Sequence, residues 1–367
     1  MNMKIKLFGL AVVGLVSALA YGVIKNSANT PPLTSTPATE IATATAPMPL
    51  YDHIFLIIEE NKAYEQIIGN PHAPVINQLA RTYGLASNYY GVVHPSEGNY
   101  VAILGGSTFG IHDDAPFSAD VNTPGSHNVN HTISERSLLD QLEEKGLTWK
   151  GYFESIPSPG YKGTSYPNEA DALYASKHNG FINYKKVQSD PKELAKLVGI
   201  EQLTIDLQTG NVPNYSHIIF NQCNEMHGLA RCPDLEQLIA TGDANVGQTV
   251  EKITKSPLWK SAKNNAIVII WDEDDGSPKL TQGCCGFEPK SQANFGGGHI
   301  ATIVITNHGA RGLVDPTPYN HYSLVRTTEE AFGIHEYLNL ANRSEDRVKS
   351  LTPLFATSHQ IESIPSK

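Results

Sequence analysis

Ala266-Ile267-Val268-Ile269-Ile270-Trp271-Asp272-Glu273-Asp274-Asp275-Gly276 is an apolar run without alternation that breaks at once into four acids and a glycine. A strand with one face in water alternates apolar and polar residues. One that does not is buried on both faces, as in a mostly parallel sheet covered by helices. Ile54–Ile58, Ile218–Phe220 and Ile300–Thr306 read the same way. Between them, Pro74–Tyr83, Ser134–Lys145, Gly247–Thr254 and Tyr322–Phe332 space their apolar residues at helical intervals, and capping residues lie between Thr132 and Arg136. The alternation predicts an α/β sandwich with a central, mostly parallel sheet between helices.

In such sheets ligands collect beyond the carboxyl ends of the strands, so the residues just after each apolar run are the candidates for chemistry. Ile54–Ile58 is followed by Glu59-Glu60-Asn61, and Ala266–Trp271 by the acids already quoted. Carboxylate and amide oxygens suit a hard divalent cation, and crowded carboxylates need one. Glu59 and Glu60 are adjacent, so strand alternation turns only one of them toward a site. After Val92-Val93 comes His94-Pro95-Ser96-Glu97-Gly98-Asn99. Ser96 stands where a helix from Asn99 to Leu104 would point its amides at an anion, a place that also suits a simple N-cap. Of 14 histidines, His227 is best placed, in the segment Asn221–His227 after the run ending at Phe220. His178 and His299 follow, and His94 is either a neighbour of Ser96 or a packed turn residue.

The 37 acidic residues exceed the 27 basic ones, which disfavours a nonspecific nucleic-acid surface. Lys4 and Lys6 precede an apolar stretch, Leu7–Ile24, with Ala18-Leu19-Ala20 as a cleavage candidate. Residues 1–24 therefore read as a signal peptide or an N-terminal anchor, and either exports the rest to the periplasm or beyond. Residues 25–50, rich in Thr, Ala and Pro, read as a linker, 51–355 as one domain and 356–367 as a tail. The only membrane contact expected is through an uncleaved 7–24 segment, and oligomeric state is not legible. In an exported chain Cys223 and Cys232 are close enough to form a disulfide. Cys284 and Cys285 leave a vicinal bond, free thiols or crossed pairing open.

Glu60-Asn61, His94-Pro95-Ser96-x-x-Asn99-Tyr100, Asn221-x-Cys223-Asn224-x-Met226-His227, Trp271-Asp272-Glu273-x-Asp275-Gly276 and Tyr319-Asn320-His321-Tyr322-Ser323-Leu324 together resemble the phosphoesterase family of bacterial phospholipases C and acid phosphatases. The resemblance covers about residues 51–335. It implies an alkaline-phosphatase-like α/β fold, a phosphate-ester substrate and a divalent metal cofactor of unspecified identity. It implies Ser96 as nucleophile, Glu60, Asn61, Asp272 and Glu273 as metal ligands, and His227 and His178 beside the phosphate or the leaving group. Asn99 and His94 are expected to bind substrate. Relatives often carry two aspartates where this chain has Asp272-Glu273, and Asp where it has Glu225, which is left out of the expected site. An acid phosphatase is expected ahead of a phospholipase C or other phosphodiesterase, because no lipid-binding domain fits after residue 335. A noncatalytic exported cation-binding protein is the reading from another class.

Overall fold

The computed structural model describes residues 39–40, 47–115, 130–261, 263–276, 283–285, 296–309, 311–344 and 347–357. The chain forms two units, Met1–Pro37 and Ala38–Lys367, and the described residues all belong to the second. The expected signal segment and the tail from residue 358 lie outside them.

The strands are β1 (Thr39–Glu40), β2 (His53–Glu59), β3 (Gly84–Tyr90), β4 (Trp149–Phe153), β5 (Ser165–Tyr166), β6 (Tyr174–Ala175), β7 (Leu197–Gly199), β8 (Tyr215–Ile219), β9 (Asn265–Trp271), β10 (His299–Thr306), β11 (Leu313–Asp315) and β12 (Tyr319–Asn320). Ten of them form one sheet in the order β1-β11-β3-β10-β9-β2-β8-β4-β7, with β12 beside β3. Every residue of β2 and β9 is buried, as runs without alternation require. Each fully buried Ile or Val there contributes about 1.5–3 kcal/mol relative to exposure. The pairings are parallel except those of β10, which runs against both β3 and β9. The run Ile300–Thr306 gave no sign of this, because apolar continuity reports burial on both faces and not direction. The sheet is nonetheless mixed, mostly parallel and flanked by helices, the α/β architecture expected.

Two helices depart from their expected bounds for local reasons. The helix expected from Ser134 runs Leu138–Glu144, since the backbone N–H and hydroxyl of Ser137 both donate to Asp140 Oδ2, at 2.8 and 2.7 Å, and set the start there. The helix expected over 247–254 runs Leu235–Lys255. Its inner face carries the buried Asp243, whose carboxylate accepts the backbone N–H groups of Val75 (3.1 Å) and Ile76 (2.7 Å) and so caps the helix Pro74–Thr82. A polar group serving a second helix broke the apolar period that sequence reading depends on. Cys223 and Cys232 are bonded, and Cys284 is bonded to Cys285. Among the described residues no helix is long and apolar enough to cross a membrane.

Candidate active site

The carboxyl ends of β2, β3, β8 and β9 meet at one edge of the sheet, together with the amino end of the antiparallel β10. Their approach is close. A Cβ on Gly91 would lie 2.8 Å from both Asp272 O and Gly297 O, so only glycine fits between the β3 exit and the β9 corner.

Ser96 is fully buried at the start of the helix Glu97–Gly105. Its Oγ stands 3.1 Å from Glu60 Oε2, 3.2 Å from Glu273 Oε1 and 3.5 Å from Asn61 Oδ1. One hydroxyl hydrogen serves one of these acceptors at a time. Asn61, in the left-handed region at φ 47°, donates its backbone N–H to Asp272 Oδ1 at 3.2 Å and its amide to Glu273 Oε1 at 3.3 Å. Strand alternation separates the two glutamates as expected. Glu60 faces Ser96, while Glu59 lies against Gly242 in the helix Leu235–Lys255.

Burial, then the neighbouring charges of Asp272 and Glu225, push the Glu60 carboxyl well above its usual range. Burial followed by Glu273 does the same to Asp272, whose Oδ2 has no hydrogen-bond partner. Three crowded carboxylates, an amide oxygen and a hydroxyl, with one buried oxygen orphaned, fit the donor set of a hard divalent cation. A second set of possible ligand atoms, from Glu60, His178 and His227, lies within 4.8 Å of one another and shares Glu60 with the first.

The remaining expected residues take more specific posts. His178 is buried, with Nε2 3.2 Å from Glu60 Oε1 and Nδ1 2.7 Å from Glu225 Oε1, and burial, then Lys177 and His227, holds it neutral. His227 sits at the rim; its Nδ1–H donates to Gly228 O at 2.9 Å, and Nε2 faces Lys177 Nζ at 3.4 Å. Burial and the Lys177 ammonium push it down to about 4.

Asn99 and His94 differ from expectation. Asn99 is fully buried, its Oδ1 accepts from Val92 N and Val93 N, and its Nδ2 donates to Val93 O and Glu273 Oε2. It therefore staples the loop leading to Ser96 and has no group left for a substrate. The ring nitrogens of His94 lie 2.7 Å from Glu273 Oε2 and 3.0 Å from Asp274 Oδ1. Burial opposes its charge, but Asp274 and Glu273 outweigh it and hold the imidazole up to about 10. His94 thus holds Glu273 and Asp274 from its two ring nitrogens.

Sequence reading missed five residues. Tyr100 OH donates to Glu60 Oε1 at 2.6 Å. Glu225 was set aside, yet it is the partner of His178. Asp274 faces His94, and Lys177 faces His227. His321 Nε2–H donates to the Asp272 carbonyl at 2.6 Å, while its Nδ1 lies 3.3 Å from Tyr89 OH. Tyr100 and His321 stood inside quoted motifs, and Glu225 and Asp274 inside quoted stretches, while Lys177 stood in none.

Residues 70–335 match the family described as the Phosphoesterase family, and the chain belongs to it. It is a hydrolase of phosphoric esters. It is 27% identical over 295 residues to a phosphatidylinositol-3-phosphatase of Mycobacterium tuberculosis, covering 80% of this chain and 81% of that one. It is 26% identical over 294 residues to an acid phosphatase of Aspergillus fumigatus, covering 77% of this chain but 55% of that one. The chain thus spans about half the length of that fungal relative. Among solved structures it resembles the PsFucS1 sulfatase of Pseudoalteromonas sp., with TM-score 0.52, 13% identity and coverage of 84% and 72%. A protein of the alkaline phosphatase superfamily from Vibrio parahaemolyticus aligns at TM-score 0.49 and 13% identity over 79% of this chain and 68% of that one. The sulfatase shares the α/β fold of this chain.

Proposed function

We propose that this protein is an exported, metal-dependent acid phosphatase that hydrolyses phosphate monoesters through a phosphoserine intermediate. The observation that carries the reading is Ser96, buried among Glu60, Asn61 and Glu273 at the head of a helix. Glu60, Asn61, Asp272 and Glu273 would hold a divalent cation, which supplies charge neutralisation for the phosphoryl oxygens and for the Ser96 alkoxide. Ser96 Oγ attacks phosphorus and the bond to the leaving oxygen breaks, while the serine proton passes to one of the two carboxylates in reach, Glu60 or Glu273. Water then attacks the phosphoserine and restores the hydroxyl.

His227 is neutral in the free protein near pH 6. A phosphate dianion beside it favours its charged form, so substrate binding itself prepares it to protonate the leaving oxygen. Two disulfides among the described residues support an oxidising compartment. A phosphodiesterase or phospholipase C would use the same constellation, and a noncatalytic cation binder would have no use for Ser96.

The test is a panel of a soluble monoester, a diester, a phosphoinositide monoester and phosphatidylcholine, assayed before and after chelation and with Ser96→Ala. Monoesters should be preferred, and chelation and Ser96→Ala should each abolish turnover. The variant should keep its fold and, with the three carboxylates in place, most of its metal content, but fail to trap covalent phosphate. Near-normal turnover by Ser96→Ala would refute the mechanism, and faster hydrolysis of phosphatidylcholine would promote the phospholipase reading.

A further inference from the structure

Lys177 has no part in the chemistry above, yet its surroundings fix where its charge lies. It precedes His178 in the short turn Ser176–His178. Its Nζ stands 2.9 Å from Asp114 Oδ2, while Asp114 Oδ1 accepts the backbone N–H of Glu97 at 3.2 Å. One carboxylate therefore ties the ammonium to the residue that follows Ser96. On its other side Nζ is 3.4 Å from His227 Nε2, and His227 shares the 4.8 Å cluster with His178 and Glu60. The Lys177 side chain keeps 22% exposure where Ser96 and Glu60 have none.

The other cations nearby are committed differently. Lys62 is buried and donates to Asn61 O at 2.9 Å, and both ring nitrogens of His94 face carboxylates. An ammonium has three donors, and in the free protein Asp114 and the neutral His227 account for two. The third can serve an entering ligand.

We propose that Lys177 binds an unesterified phosphoryl oxygen of the substrate and thereby favours phosphate monoesters over diesters. This deepens the phosphatase reading and rests on it. A monoester presents three non-bridging oxygens and up to two negative charges; a diester presents two and one. An ammonium that contacted the oxygen a diester has esterified would form a charge-assisted hydrogen bond with the monoester alone. A lysine that merely neutralised the carboxylate cluster would instead support both esters equally.

The experiment compares Lys177→Gln and Lys177→Arg with the parent, using p-nitrophenyl phosphate, bis-p-nitrophenyl phosphate and calorimetric binding of inorganic phosphate. Lys177→Gln should raise KM for the monoester and Kd for phosphate by about tenfold or more, the loss of one charged hydrogen bond. Diester hydrolysis should change much less, and Lys177→Arg should recover most of the phosphate affinity. Unfolding curves verify that the variants are folded. Unchanged phosphate affinity in folded Lys177→Gln, or equal losses on both esters, would overturn the inference. A parent that binds phosphate in a Lys177-dependent way but hydrolyses neither ester would keep the phosphate contact and sink the phosphatase reading.

Discussion

Glu60 shows how one side chain in this site is made to face one way. Its Oε1 takes the Tyr100 hydroxyl at 2.6 Å and lies 3.2 Å from His178 Nε2, which leaves Oε2 directed at Ser96. Tyr100 is buried and its ring stacks with that of His178 at 5.4 Å, so Tyr100→Phe removes a hydroxyl and opens no cavity. The variant leaves a buried carboxylate oxygen one donor short, which costs about 1–3 kcal/mol wherever that oxygen is charged. We expect kcat/KM to fall by about tenfold with a much smaller change in the urea midpoint. Unchanged kcat/KM would show that Glu60 needs no such support. Glu60, Asn61, Ser96, Asp272 and Glu273 stand just beyond apolar runs, where sheet geometry predicts convergence, and the family resemblance singled them out within those corners. Tyr100, Glu225 and Lys177 could not be weighed that way, since their meaning lies in contacts across 40, 47 and 50 positions of chain.

Among the elements, the helix Glu97–Gly105 is buried along its whole length and carries Ser96 at its head. A helix without an exposed face has no amphipathic period, so it is harder to find from sequence than the helix Pro74–Thr82, which buries only Ile76, Asn77 and Ala80 and was expected over Pro74–Tyr83. Its second residue, Gly98, decides how closely it packs. A Cβ there would lie 2.5 Å from Val93 Cγ1 and 2.8 Å from Ile111 O. Helix propensity alone favours Ala over Gly by about 1 kcal/mol, while overpacking costs about 1–3 kcal/mol, so Gly98→Ala should be neutral to destabilising. Turnover should suffer more than stability, because the push acts two residues from Ser96. Urea melts and steady-state rates on the same preparations check this, and a stabilised variant with full turnover would overturn the steric account.

Over the whole molecule, two buried groups outside the Ser96 constellation shape how stability responds to pH. His217 on β8 is pushed down to about 3 by burial, with Tyr215 OH 2.8 Å from its Nε2. Its folded value lies below its unfolded value of about 6.5, so the unfolded chain binds the extra proton between them. Stability from His217 is therefore present above about pH 6.5 and lost as pH falls toward 3. Glu329 in the helix His321–Ala331 is pushed the other way, to about 8, chiefly by burial. Its Oε1 accepts Leu338 N–H at 2.8 Å and its Oε2 has no partner. Here the folded protein holds the extra proton, so stability is present below about pH 4.5 and lost as pH rises through 8. Each group contributes a slope of about 1.4 kcal/mol per pH unit inside its window, and where the windows overlap the slopes cancel. Glu329→Gln preserves the shape and an acceptor for Leu338, so it should flatten the loss between about pH 6.5 and 8, uncover the His217 rise between about pH 4.5 and 6.5, and leave the slope below about pH 4.5 unchanged. His217→Gln, which keeps an acceptor for Tyr215, should flatten the loss below about pH 4.5, uncover the Glu329 fall between about pH 4.5 and 6.5, and leave the slope above about pH 6.5 unchanged. Urea unfolding across this pH range at fixed ionic strength separates the two, and an alkaline slope that survives Glu329→Gln would assign that loss to a different group.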